Sequence, residues 1–409
     1  MQVDVAVIGA GPAGLCFARS LADSGLSVAL VEPQSRQALA EAAFDGREIA
    51  LTHASRTLLD ELGIWQRIDP AEISPLCEAR VMNGPSPFAM VVADGGHSPR
   101  DLGWLVPNHL IRRAAHAATE GQAGLHWFDG AAVRGLCTDA DGAHLKLSDG
   151  RALEARLAVS ADSRFSATRR MMGIGARMRD FGKTMLVCRM EHARPHHHAA
   201  WEWFGYGQTL ALLPLNGNVA GAVLTLPQHE VDRLLALDEE AFSAEITRRF
   251  DGRLGTMRQA GTRHAYPLVA TWARRFVGRR YALIGDAAVG MHPVTAHGFN
   301  LGLQSQWRLA GAVLDAHRGG RDIAGEAVLA GYERAHRRAA EPVYLATQLV
   351  VGLYTDDRAP ARWLRDATLR VADRVAPFKR LLAAQLVQAD PAAGAGPLAG
   401  VRALFGRAA

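Results

Sequence analysis

Val3-Asp4-Val5-Ala6-Val7-Ile8-Gly9-Ala10-Gly11-Pro12-Ala13-Gly14 opens the chain, and an acidic residue, Glu32, closes the next apolar run, Val28 to Val31. An apolar stretch of strand type runs into a glycine turn, a helical pattern follows from Gly14 to Ser24, and a second strand pattern completes one βαβ unit. The three glycines have separate tasks. Gly9 permits the tight turn, Gly11 lets backbone approach a pyrophosphate at a helix N-terminus, and Gly14 lets the helix pack closely on the strand. Standing alone, GxGxxG would read as a tight turn. Between a strand and a helix, with Glu32 about 20 residues on to accept hydrogen bonds from a ribose, it reads as a dinucleotide-binding fingerprint. FAD and NAD both use it, so the choice between them rests on the rest of the chain.

From Leu76 to Gly103 the pattern turns short and irregular, punctuated by Pro85, Pro87, Gly95 and Gly96, and the chain is expected to leave its first sheet there. Helical periodicity returns from Asn108 to Thr119, and strand patterns follow at 125–128, 143–147 and 153–160. Thr184 to Leu226 reads mainly as strand, with Trp201, Trp203, Phe204 and Tyr206 clustered, which predicts a second, largely antiparallel sheet. Asp238 to Phe250 reads as an amphipathic helix, Arg280 to Ile284 as a strand entering Gly285-Asp286, and the chain after Gly298 as helical almost to its end, interrupted at 318–321 and loosening into an alanine- and glycine-rich segment at 389–396.

At 409 residues, the chain exceeds the usual limit of a single core, and 49% apolar with 21% charged residues is ordinary globular composition. Cys16, Cys77, Cys137 and Cys188 are scattered and form no CxxC pair, which argues for a reducing compartment and against a disulfide framework. The start lacks a signal-peptide pattern and no run reaches the roughly 20 apolar residues of a membrane span, so a cytoplasmic protein is expected, with peripheral attachment at the inner membrane left open. The charge of +5 is modest and no basic, aromatic-interleaved stripe accompanies it, so nucleic acid is not an expected partner.

Two later segments, Ala158-Val159-Ser160-Ala161-Asp162-Ser163-Arg164-Phe165-Ser166-Ala167-Thr168-Arg169 and Ile284-Gly285-Asp286-Ala287-Ala288, resemble the two additional signatures of class A flavoprotein monooxygenases. With the N-terminal fingerprint they form a three-part pattern in the right order. The resemblance implies an α/β fold: a Rossmann-like FAD-binding domain with an inserted antiparallel β-sheet substrate domain and a helical C-terminal region. The corresponding division is 1–75, 104–180 and 276–325 for FAD, 76–103 and 181–275 for substrate, and 326–409 for the helical region. It also implies that Asp286 accepts a hydrogen bond from a ribityl hydroxyl, and that Asp162 and Arg169 serve FAD and the nicotinamide nucleotide. Arg47, Asn108, Arg112 and Val133 match positions beside the cofactor. The helix opening at Gly298-Phe299-Asn300 would aim its positive end at the pyrophosphate or the flavin. Where Ser163 stands the family normally has glycine.

Gly285 to Gly302 is similar to the ubiquinone-biosynthesis hydroxylases, and within them the 5-demethoxyubiquinol 5-hydroxylase branch, on His297-Gly298-Phe299-Asn300 and the Ala161 to Ser166 segment. Val289 replaces a usual histidine, Ala296-His297 replaces Gly-Gln, and Ser305 stands where many members carry aspartate. The resemblance implies FAD, reduced by NADH or NADPH, reacting with molecular oxygen to a C4a-hydroperoxide that hydroxylates a prenylated phenol or quinol. The cofactor supplies the reactive group, so no catalytic triad is needed. His297, His292 and Pro293 are the candidate catalytic residues, and Phe299, Trp203 and Phe204 candidate walls of an apolar pocket. A histidine beside the flavin could equally be a packed helix-start residue, and an aromatic cluster at strand spacing plain core. Hydroxylation of another phenolic substrate, or oxygen-independent FAD reduction, stays open. His196-His197-His198 is read as a solvated loop and no metal is expected, because successive residues diverge and no partner ligand stands at ordinary spacing. Trp363 to Leu386 alternates apolar and basic residues at helical spacing, a pattern for a membrane surface, for packing against the main domain, or for a partner in a biosynthetic complex.

Overall fold

A computed structural model of the chain describes residues 1–86, 88–93, 101–205 and 207–355, together with 365, 367, 369, 370 and 373. Tyr206 and nearly all of the arginine-rich C-terminal pattern lie outside the described residues.

The first strand, Gln2–Ile8, pairs in parallel with Val28–Glu32 on one side and with Ala152–Ser160 on the other. Leu125–Asp129 and Tyr281–Leu283 extend this parallel sheet at its two ends, and the antiparallel strands Val133–Thr138 and Ala143–Leu147 join it beside Ala152–Ser160. Strands covered on both faces need continuous apolar runs. Val5, Ala6 and Val7 are fully buried, as are Ala29 and Leu30. The helix Pro12–Ser20 covers one face, burying Leu15, Cys16, Phe17 and Ala18. Withdrawing Phe17 from water contributes about 2–3 kcal/mol. All four cysteines are free.

A nine-stranded second sheet runs through His264–Ala273, Ala176–His192, Val219–Leu226, Thr209–Pro214, Ala199–Phe204, Glu78–Asn83 and Ala89–Ala93. It is antiparallel except where Ala199–Phe204 lies parallel to Glu78–Asn83. Strand alternation divides its residues between two faces. Trp201, Trp203, Leu210, Leu212 and Leu224 pack under Val231, Leu234, Phe242 and Ile246 of the helices Gln228–Leu235 and Glu239–Arg249. Asp238 caps the second of these, accepting from the Ala241 amide at 2.7 Å. Glu239 and Glu240 in its first turn and Arg248 and Arg249 in its last suit the helix dipole.

A small sheet, Glu48–Leu51, Gly103–Pro107 and Ser74–Leu76, is made of segments interleaved along the chain with those of the two large ones. After Tyr281–Leu283 come the helices Gly298–Arg318 and Glu326–Thr355. Among the described residues no helix is long and apolar enough to cross a membrane.

Candidate functional site

The glycine turn is tight enough to test each glycine separately. Gly9 has φ +102°, and a Cβ there would stand 2.7 Å from the Ala161 carbonyl oxygen. A Cβ on Gly14 would stand 1.9 Å from the Gly9 carbonyl oxygen. One on Gly11 would meet nothing within 4 Å, because Gly11 faces a cavity. The helix that starts there has no side-chain cap. Glu32 reaches back to the turn, accepting from the Ala10 amide at 2.7 Å and from the Gln34 amide at 3.1 Å. Each carboxylate oxygen keeps further acceptor capacity.

Ile8 and Ser160 are paired neighbours, so the chain after Ser160 arrives beside the glycine turn. There Asp162 turns one oxygen to Thr168, accepting from its amide at 3.1 Å and its hydroxyl at 2.8 Å. Its Oδ1 is buried at the cavity wall and finds no donor. Ser163 holds φ +81°, so the turn keeps a glycine-type geometry with a serine in it. Arg169 stands behind the residues that line the cavity. Only 2% exposed, it donates to the carbonyl oxygens of Ala287 at 2.8 Å and Arg164 at 3.1 Å, tying the middle motif to the chain after Asp286. Asp286 does line it, and Arg164 donates to Asp286 at 2.8 Å and to the Val269 carbonyl oxygen at 3.0 Å. Both side chains of this pair are partly exposed, so the pair itself contributes little stability. Asp286→Ala is therefore expected to leave thermal unfolding nearly unchanged while FAD retention after gel filtration falls about tenfold, the effect of losing a charge-assisted hydrogen bond.

Arg47 pairs with Asp45 at 2.6 Å and lies 5.3 Å from the Tyr266 ring. Asp45 also accepts from the Asn108 side-chain amide at 2.7 Å. Burial alone would raise the Asp45 carboxyl, but Arg47 and Asn108 outweigh it and hold the group below the usual carboxylate range. Arg112 donates to Gln34 at 3.1 Å, and Val133 lines the same end of the cavity.

His292, Pro293, His297, Gly298 and Phe299 stand together on the opposite wall. Burial, helped by Arg179 and Lys183, pushes His292 down to about 4, so it is neutral in the neutral pH range. Its Nδ1 accepts from the Val294 amide at 3.2 Å, which leaves Nε2 as the donor. Ala296, where the family has glycine, holds φ +53°. Asn300 acts behind the wall. It donates to the carbonyl oxygens of Ala50 at 2.8 Å and Ala296 at 3.0 Å and accepts from the Thr52 amide at 3.2 Å, fixing the helix start against the small sheet. Ser305, in place of aspartate, accepts from the Gly285 amide at 2.8 Å.

These walls and the free face of the second sheet enclose one cavity of about 1510 Å³. Phe204 lines it. Trp203 does not, because alternation turns it to the helix-covered face, where its indole donates to the Gly84 carbonyl oxygen at 2.8 Å. His196 is also structural, bonded to the Leu215 and Val219 carbonyl oxygens, and no metal-binding cluster occurs among the described residues. Sequence reading missed Arg164, Tyr266 and Glu202, which line the cavity, and Asp45, which holds the lining residues Arg47 and Asn108. Asp45 and Arg164 stand beside motif residues, and that proximity was the available signal.

The arrangement fits FAD on the structure's own terms: a backbone cradle that leaves room at Gly11, beside an Asp162 carboxylate whose buried Oδ1 has no donor among the described residues. The chain matches the FAD binding domain family over residues 2–347. It is 43% identical to the ubiquinone hydroxylase UbiM of Neisseria meningitidis over 390 residues, covering 94% of this chain and 85% of that protein. Identity to the ubiquinone hydroxylase UbiL of Rhodospirillum rubrum is 38%, covering 92% and 88%. Among solved structures, p-nitrophenol 4-monooxygenase PnpA from Pseudomonas putida shares the fold with a TM-score of 0.76 at 17% identity, covering 94% of this chain and 98% of that one. Motifs, fold and relatives agree, and the chain belongs to the FAD-dependent ubiquinone hydroxylase family.

Proposed function

We propose that this FAD-dependent aromatic hydroxylase acts on a prenylated benzoquinol intermediate of ubiquinone synthesis, with NADH or NADPH as reductant. The carrying observation is that the nucleotide cradle and the largely apolar inner face of the second sheet enclose a single cavity, about 1510 Å³. That exceeds the span of ordinary small-molecule pockets, as a dinucleotide plus a ring with an apolar tail requires. Bound FAD supplies the oxygen-activating chemistry.

The chain's own residues bind, orient and exclude water. Gly9 and Gly11 leave backbone open to the pyrophosphate, Glu32 accepts from the ribose, and Asp286 and Asp162 offer acceptors at the other end. Arg47 and Asn108, both held by Asp45, would stand by the cofactor. Neutral His292 offers a donor without adding charge, and His297 and Pro293 shape the same wall. Met185, Val187 and Phe204 face the substrate side and keep water from the reacting ring. Leu349, which lines the cavity and is 75% exposed, and Leu345 give its rim an apolar edge on which a tail or a membrane surface would rest. The division into FAD, substrate and C-terminal parts given above belongs to this reading.

The test is rescue of ubiquinone synthesis in bacterial strains that each lack one ring hydroxylase, with intermediates read by mass spectrometry. Restoration in one strain is expected and names the ring position. Failure in every strain, with FAD-loaded protein present, moves the activity to another phenolic substrate.

A further inference from the structure

The inner face of the second sheet carries an isolated acid. Register places Val187, Val223, Ala211, Glu202, Val81 and Met90 side by side across it. The row before it runs Leu213, Ala200, Ala79 and Val92, and the row after it Thr225, Thr209 and Phe204, all lining the cavity. The other ionisable groups at this face stand strands away: Arg179, Asp180 and Lys183, which also line the cavity, are on Ala176–His192, three strands from Glu202, roughly 14 Å at the usual strand spacing. His264 pairs with Val187 and Tyr266 with Met185, each four strands away, roughly 19 Å at the usual strand spacing. Arg189 is taken by Glu48 at 2.8 Å. On the neighbouring strand Arg80 pairs with Glu78. Leu76, Val294, Val350 and Leu369 share one apolar cluster with Phe204, Met90 and Val81, and the one charged group described at it, Arg370, lies over the Phe88 ring at 5.1 Å. Val294 directly follows His292 and Pro293, so this cluster adjoins the candidate catalytic residues.

We propose that Glu202 holds the aromatic substrate by a ring hydroxyl and accepts that hydroxyl's proton as the ring is hydroxylated. The inference rests on the hydroxylase reading of the cavity. In the step, the ring O–H bond breaks, a carboxyl O–H bond forms, and the electron pair stays on the ring oxygen, raising the ring's electron density for attack on the transferred oxygen. The walls around it are otherwise apolar but for the neutral hydroxyls of Thr209 and Thr225, so Glu202 is the one carboxyl among the described residues of this row to take up a ring hydroxyl's proton, and an unpaired buried hydroxyl is costly. Burial pushes Glu202 up to about 8, with no charged group among the described residues offsetting it, close to working pH, where an acid–base group is most effective.

The experiment uses the FAD-loaded full chain with 2-geranyl-6-methoxyphenol and its methyl ether as probes, binding measured by calorimetry and turnover followed as hydroxylated product. The protein is expected to bind the phenol about tenfold tighter than the ether, as one hydrogen bond to a carboxyl gives. Its kcat/KM should rise with pH through about 8. Glu202→Leu should bind the two alike. Glu202→Gln, the nearer isostere, should keep much of the discrimination while losing both rate and the step in the pH profile, with FAD content unchanged. Variants that still discriminate, turn over normally and keep the step overturn the role of Glu202 alone. If the unaltered enzyme neither binds nor hydroxylates the phenol, the hydroxylase reading of the cavity falls with it.

Discussion

Gly14→Ala is expected to lose FAD and stability together, whereas Gly11→Ala is expected to lose FAD alone. The Cβ at position 14 would lie 1.9 Å from the Gly9 carbonyl oxygen, which belongs to a turn that also packs against Ala161. Backbone on both sides leaves no flexible side chain to yield. The helix Pro12–Ser20 must then lift from the first strand, uncovering Leu15, Phe17 and Ala18. Destabilisation of roughly 3 kcal/mol, the upper end for overpacking, follows. At position 11 a Cβ has no neighbour within 4 Å and no positive φ, so the folded chain accommodates it. The methyl instead occupies the space reserved for a pyrophosphate. Urea unfolding of the apoproteins beside flavin absorbance of the purified variants separates the two. Equal destabilisation by both substitutions, or full FAD loading of Gly11→Ala, would defeat this account of the turn.

The N-terminal unit was legible because its constraints are local. Strand, turn, helix and strand follow one another within Gln2–Glu32, and Gly14 answers to the Gly9 carbonyl oxygen five positions away, while Gly9 combines a local positive φ with a distant neighbour, Ala161. The two-sheet division was readable from the same kind of signal, a change of period. Faces within a strand were harder. Trp203 and Phe204 are adjacent in an aromatic run, and composition treats them alike. Only register against Met82 and Asn83 sends one under the helices and the other into the cavity. Arg169 shows a related limit, since a motif fixes which residue type recurs but not whether it meets the ligand or the backbone behind it. Ser163 and Ala296 show the converse. Both stand where relatives carry glycine, and both keep positive φ, so the backbone path is retained at a cost of about 1–2 kcal/mol each.

Asp45, Arg164 and Glu202 were not legible because their partners, or their isolation, come from distant segments. Arg164 meets Asp286 across 122 positions of sequence, and Asn108 meets Asp45 across 63. In Trp201-Glu202-Trp203-Phe204 alternation alone makes Glu202 look like the solvent side of a half-buried strand. A contrary signal was present in its neighbours on the same face, Ala200 and Phe204, which are both apolar. An acid between two apolar residues of one face belongs to an enclosed surface more readily than to a wet one.

That enclosure has a measurable consequence for stability. The ordinary value for a glutamate is 4.5, and burial pushes Glu202 up to about 8 in the folded chain. Between these values the unfolded chain has released the proton and the folded chain holds it. Folding then binds a proton, so stability falls as pH rises through this window and levels off above about 8. Glutamine matches the protonated side chain in shape and cannot titrate. Glu202→Gln should therefore equal the natural chain in stability near pH 4.5 and exceed it above pH 8, by on the order of 5 kcal/mol. Urea midpoints of the FAD-loaded proteins across this range provide the measurement. A stability difference that stays flat with pH would mean that Glu202 is ionised in the folded state, and the apolar wall would not be desolvating it. A substitution that strengthens the fold while removing turnover is what a carboxyl kept in a costly place for its chemistry produces.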